Sequence, residues 1–184
     1  MNIPNMITLG RILLVPLTVW LIISDAYEWA FAAFVAAGIS DGIDGYLARR
    51  FNLQSVLGAY LDAAADKALL VSVYVTLGFI KVLPAWLVIL VVFRDVLIVG
   101  AIILSRLMGQ PIHVSPLRIS KVNTAAQIIL VVAVLGFAAL DQPLAMLVNY
   151  GSIPVGLLTA ASGAAYLLTW VRHMGEGPTE GGRP

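Results

Sequence analysis

Cysteine is absent from all 184 residues, which excludes disulfides, thiolate metal sites and a cysteine nucleophile. Charge is scarce as well. Asp, Glu, Lys and Arg make up 11% of the chain, too little to solvate a helical protein of this size in water. The balance is +1, so net charge alone points to no class of partner, and no nucleic acid is expected. Alternating apolar and polar residues, the mark of a half-buried strand, occur nowhere, and hairpin signals are missing too. Linkers, internal repeats and low-complexity blocks are also lacking before Gly175, so the length fits one domain.

What remains is apolar sequence, 60% of the residues, with a mean hydropathy of +0.95. Six hydrophobic segments, near 8–24, 28–50, 54–79, 84–107, 117–140 and 151–173, approach the ~20 residues that a bilayer requires. They predict an all-α integral membrane protein, a six-transmembrane-helix bundle. Asn2–Arg11 is expected to form a short interfacial helix before the first span begins near Ile12. A signal peptide is not expected, since no basic stretch precedes the first run and no small-residue cleavage site follows it. Arg49, Arg50, Arg106, Arg118, Lys121 and Arg172 fall near one side and Lys81 near the other. The positive-inside rule then puts both termini and Arg49 in the cytoplasm. Residues 1–174 are expected to be the membrane domain, and the Gly/Pro/Glu-rich 175–184 a disordered tail.

Against that background Asp41, Asp44, Asp62 and Asp66 stand out. An ionised carboxylate at membrane depth costs roughly 2.5–3.5 kcal/mol on insertion scales. Acids so closely spaced need a common counter-charge, and a divalent metal supplies one. Asp41 and Asp44 are three apart and share a helix face; Gly58, Asp62 and Asp66 form an i, i+4 stripe on the next helix. Packing the two faces together would gather all the acids. Hard oxygen donors suit magnesium, manganese or calcium rather than zinc. Gly42, Gly45 and Gly58 leave backbone bare where a substrate would approach, and Arg49 adds a cation about one turn beyond. Acids, arginine and bare backbone together describe a phosphate site.

The run Asp44-Gly45-x2-Ala48-Arg49-x8-Gly58-x3-Asp62-x3-Asp66, with Asp41 upstream, resembles the signature of the CDP-alcohol phosphotransferase family. The resemblance implies two divalent metal ions, Mg2+ or Mn2+, held by Asp41, Asp44, Asp62 and Asp66 against the pyrophosphate of a CDP-linked lipid. It implies that Asp66 is the base that activates the acceptor hydroxyl, and that Gly45, Ala48, Arg49 and Gly58 hold the nucleotide. The opening Asn2-Ile-Pro-Asn5-x2-Thr8-x2-Arg11 is similar to that of the phosphatidylglycerophosphate and cardiolipin synthases, where its polar residues help cover the nucleotide. Simple anchoring at the interface is the other reading of Asn5, Thr8 and Arg11. A homodimer is also implied.

Relatives differ in acceptor. Arg94, Arg118 and Lys121 favour an anionic one and are expected to bind its phosphate, although Arg118 and Lys121 also read as a positive-inside anchor. Phe93-Arg94-Asp95-Val-Leu and Leu117-Arg118-Ile-Ser120-Lys121-Val-Asn123-Thr124-Ala-Ala-Gln127 resemble the mitochondrial-type, CMP-forming cardiolipin synthases. That implies transfer of a phosphatidyl group from CDP-diacylglycerol to phosphatidylglycerol. Phosphatidylglycerophosphate synthase, using glycerol 3-phosphate, is the alternative. An ion-coupled transporter is the rival from another class, since intramembrane acids mark those too. Lys67 reads as charge balance for the acids, Arg94-Asp95 as a buried pair or a functional one, His113 as a solvated loop residue, and Thr159–Ala165 as packing. Gly38-x3-Gly42 reads as a helix-packing pattern. A short chain without a transit peptide suggests a bacterial inner membrane.

Overall fold

A computed structural model describes the backbone of residues 3–50, 56–107 and 118–175, and the side chains of 10–40, 42, 65–101, 103, 104, 107 and 118–171. Six helices make up these residues: α1 Ile3–Ile23, α2 Tyr27–Arg50, α3 Val56–Phe79, α4 Ala85–Leu107, α5 Arg118–Ala139 and α6 Ala145–Gly175. No strand occurs among them. Long apolar runs fold this way because a helix satisfies its own backbone hydrogen bonds and needs no water to do so. Two boundaries differ from the sequence expectation. The interfacial segment and the first span are one continuous helix, α1, with Pro4 in its first turn, where a missing N–H costs nothing. Helix α6 starts six residues earlier than expected, at Ala145, because the turn ends immediately after Pro143.

Three turns close on the same device. Asp25, Lys81 and Asp141 have φ values of 57°, 62° and 50°, the left-handed conformation at a helix end. In each, that residue's N–H reaches the carbonyl three back and the next N–H reaches the carbonyl five back, as in Lys81 to Gly78 (3.1 Å) and Val82 to Leu77 (2.9 Å). These turns link α1 to α2, α3 to α4 and α5 to α6, so all lie at one end of the bundle. The motif acids lie toward the other.

The helices pack as a ring in the order α1, α2, α5, α6, α4, α3, which closes on α1, and α3 also touches α5 across it. Val73, Tyr74 and Leu77 of α3, Leu87 and Val91 of α4, and Val131, Val134 and Leu135 of α5 are fully buried. The Tyr74 hydroxyl donates to the Gln127 carbonyl at 3.1 Å and ties α3 to α5. Polarity runs opposite to that of a water-soluble protein. Arg11, Arg94, Asp95, Asn123, Gln127, Thr159 and Ser162 are buried, whereas Trp20, Trp29, Phe79, Ile89, Phe93 and Leu157 are exposed. Such an outer surface suits hydrocarbon. Among the described residues, Arg118–Ala139 and Ala145–Val171 are long and apolar enough to cross a bilayer, and Gly10–Ile23 is a shorter apolar helix.

Glycine permits one close approach between α3 and α4. A Cβ added at Gly78 would stand 2.7 Å from Val88 Cγ2 and 3.4 Å from its Cβ, and a valine on a helix has almost one rotamer. Gly38 and Gly42 differ: among the described residues nothing lies within 4 Å of a Cβ added to either, so the small-residue pattern on α2 is not a described helix contact. Gly78→Ala is expected to lose on the order of 1 kcal/mol, overpacking of about 1–3 kcal/mol being set against alanine's helix preference of about 1 kcal/mol. Gly38→Ala is expected to stay at wild-type stability or above. Thermal unfolding in detergent checks both; equal midpoints for Gly78→Ala and wild type would refute the contact.

Candidate active site

Helix α2 carries Asp41, Asp44, Gly45, Ala48 and Arg49, and α3 carries Gly58, Asp62 and Asp66. Helix α1, with Asn5 and Thr8, packs against both. Asp66 is the motif acid whose side chain is described; those of Asp41, Asp44, Asp62, Arg49, Asn5 and Thr8 lie outside the described residues, as does His113. Consistent with that, no group of three His, Cys, Asp or Glu side chains is found among the described residues.

Asp66 has a specific partner. Arg11 Nη1 donates to its Oδ1 at 2.6 Å, and the arginine is 1% exposed while the acid is 43% exposed. A cation so deeply placed needs a carboxylate, and a carboxylate so near hydrocarbon needs a cation. The pair therefore fixes α1 against α3. The sequence is compatible with either anchoring or nucleotide cover for Arg11 and does not reveal its partner, because 55 residues separate the two. An intramembrane arginine with a lone acid stripe downstream was the available signal.

Asp66 also lines a cavity of about 340 Å³ between α2, α3 and α5. Lys67, Gly38 and Thr124 line it with Asp66, and Phe34, Leu70 and Ile128, each about one turn farther along its helix, form apolar wall. The cavity thus has a polar end near the motif and an apolar remainder. Its donor chemistry there, a half-exposed carboxylate, matches what a hard divalent cation takes.

A second charged group sits behind Lys67. The Lys67 ammonium donates to both oxygens of Asp95 on α4, at 2.9 and 2.8 Å. Arg94 Nη1 donates to Asp95 Oδ1 at 2.5 Å, its Nη2 and Nε donate to Ser162 Oγ at 3.0 and 3.3 Å, and its Nη2 also donates to Ser120 Oγ. The guanidinium lies 5.8 Å from the Tyr166 ring centroid, within cation–π range. All three Arg94 nitrogens are therefore engaged, and the residue is 3% exposed. Arg118 and Lys121, grouped with it in the sequence reading, are instead exposed on the first turn of α5 on either side of Ser120. The small-residue band on α6 does more than pack: Ser162 accepts from Arg94, and Thr159 donates to Asn123 Oδ1 at 2.8 Å and accepts from Gln127 Nε2 at 3.2 Å. A hydroxyl amid small residues gave the sequence reading no sign of a buried cation.

A family model described as CDP-alcohol phosphatidyltransferase matches residues 1–171. The chain is similar to the cardiolipin synthase (CMP-forming)/mitochondrial hydrolase fusion protein of Schizosaccharomyces pombe, 34% identical over 91% of this chain and 31% of that protein. It is similar to the chloroplastic CDP-diacylglycerol–glycerol-3-phosphate 3-phosphatidyltransferase 1 of Oryza sativa, 38% identical over 73% of this chain and 46% of that protein. Similarity to the cardiolipin synthase (CMP-forming) of Homo sapiens is 36% over 72% of this chain and 49% of that protein. The chain spans about half or less of the length of these relatives.

Ser162→Ala should leave two donors of a buried guanidinium short of an acceptor. A loss of about 1.5–3 kcal/mol is expected, the scale of a hydrogen bond to a charged group. Thermal unfolding in detergent reads it, and a wild-type midpoint would show that Arg94 does not depend on this hydroxyl.

Proposed function

The chain belongs to the CDP-alcohol phosphatidyltransferase family, and from that premise we propose that it is a CMP-forming cardiolipin synthase that joins CDP-diacylglycerol to phosphatidylglycerol. The observation that carries this reading is the similarity, over most of the chain, to proteins of that name from fission yeast and human. Asp95 after Arg94 agrees with it. In this reading the six helices all span the membrane, the motif end faces the cytoplasm of a bacterial cell, and the enzyme is a homodimer.

Asp41, Asp44, Asp62 and Asp66 would hold two divalent ions, magnesium or manganese, which supply charge neutralisation at a pyrophosphate. Gly45, Ala48, Arg49 and Gly58, with Asn5 and Thr8 of α1, would bind and orient the CDP moiety. Asp66 would accept the proton of a phosphatidylglycerol hydroxyl as that oxygen attacks the lipid-bearing phosphorus. A phosphoester bond forms, the pyrophosphate P–O bond breaks, and CMP leaves with the bridging oxygen. The Arg11 guanidinium orients the Asp66 carboxylate for this role. Arg118 and Lys121, exposed at the start of α5, would attract the acceptor phosphate, and Arg94 would brace that region from beneath.

A second reading, phosphatidylglycerophosphate synthesis from glycerol 3-phosphate, is favoured by the 38% identity to the rice enzyme. The acceptors separate the two. Purified protein with CDP-diacylglycerol and magnesium or manganese is expected to release CMP and form cardiolipin with phosphatidylglycerol; product from glycerol 3-phosphate alone would favour the second reading. Chelation is expected to abolish CMP release, and either metal to restore it. Asp66→Asn is expected to lower turnover by at least about 10²-fold, the scale of a lost general base. Unchanged turnover in that variant would remove Asp66 from the role.

A further inference from the structure

We infer that Lys67 is a phosphate-binding, specificity-determining residue at the polar end of the cavity, oriented by the Arg94–Asp95 pair. The inference rests on the proposed phosphatidyl transfer for its choice of acceptor, though not for the existence of the anion site.

Charge count is the first argument. Arg94, Asp95 and Lys67 form one hydrogen-bonded chain of two cations and one anion. Asp95 can neutralise only one of them, so the group carries a surplus positive charge. Arg94 and Asp95 are buried, with side chains 3% and 8% exposed, whereas Lys67 is 42% exposed. The surplus is therefore presented at Lys67, and Lys67 lines the cavity.

Geometry is the second. An ammonium has three donors, and Asp95 takes two of them through its two oxygens. One donor is left for a ligand. Asp95 in turn cannot follow a mobile lysine outward, since Arg94 Nη1 holds its Oδ1 and Arg94 is fastened to α5 and α6 through Ser120 and Ser162. A long flexible side chain thus has its rotamer set from behind, which removes part of the entropy cost of binding. The described ion-pair partner of Lys67 is Asp95 on α4, whereas that of Asp66 is Arg11 on α1.

The ligand class follows from the surroundings. Among the described residues Lys67 is the cation lining the cavity, beside Thr124 and the Arg11-paired Asp66, with Phe34, Leu70 and Ile128 beyond; this fits a phosphate ester attached to apolar chain better than a free sugar or an alcohol. Within phosphatidyl transfer, that ester is the phosphodiester of the lipid acceptor. Arg94 and Asp95 are then positioning residues.

Lys67→Gln is a clean variant, because the Arg94–Asp95 pair it leaves behind is still neutral. With the full chain in detergent, we expect the KM for phosphatidylglycerol to rise about tenfold while that for CDP-diacylglycerol stays within twofold. Lys67→Arg should recover most of the loss, and the unfolding midpoint of Lys67→Gln should stay near wild type. Asp95→Asn should raise the same KM through a misplaced ammonium. Native mass spectrometry without metal gives a readout independent of turnover: wild type should retain phosphatidylglycerol in preference to diacylglycerol, and Lys67→Gln should lose that preference. Glycerol 3-phosphate binding measured alongside separates lipid from free phosphate; loss of either ligand in Lys67→Gln supports the anion site, and loss of phosphatidylglycerol alone assigns it to the lipid. Equal retention of both ligands by Lys67→Gln and wild type, or an equal rise in both KM values, would overturn the inference. If wild type transfers nothing to phosphatidylglycerol yet binds it through Lys67, the anion site stands and the cardiolipin reading fails.

Discussion

A guanidinium buried among apolar helices must find a carboxylate, and most of this bundle's polar architecture follows from meeting that demand twice. Arg11 meets it with Asp66, and Arg94 with Asp95. Each pairing joins or braces neighbouring helices. The first fastens α1 to α3. The second, extended through Lys67, Ser120 and Ser162, reaches from α3 through α4 to α5 and α6. Desolvation makes such pairs poor sources of net stability, but it makes breaking one of them costly. Their value is that they leave few alternative arrangements open.

The apolar packing obeys a different rule and occupies a different region. At the end away from the motif, left-handed residues at Asp25, Lys81 and Asp141 stop three helices abruptly and turn the chain directly back. Short turns of this kind keep α1 beside α2, α3 beside α4 and, through α5 and α6, complete the ring order. The fully buried residues of α3, α4 and α5 fill its centre. The short turns thus lie away from the polar end, where the buried charges and the cavity are.

How much of this was legible beforehand depended on range. Helix number and most boundaries were readable, because apolar runs and their interruptions are local. The continuous α1 was not: the polar residues from Asn2 to Arg11 suggested a separate surface segment, whereas the arginine turns inward to an acid far along the chain. That the motif acids fall on two consecutive helices, α2 and α3, was readable, because the apolar runs that carry them are helical. The partners of Arg94 were not, because Ser120 and Ser162 are small polar residues whose significance appears only when α4, α5 and α6 are packed. Lys67 stands beside the motif acids in sequence, yet its described partner, Asp95, is in another helix. Reading a charge by proximity in sequence fails wherever the helix turns it away.

Asp66 and Lys67 are consecutive, yet one is claimed by α1 and the other by α4. Helix α3 is consequently keyed against rotation about its own axis from two directions at once, like a spindle pinned at adjacent points. The orientations of Asp66 and Lys67 are therefore set together by the rotation of one helix, and any change that turns α3 about its axis moves both side chains at the cavity.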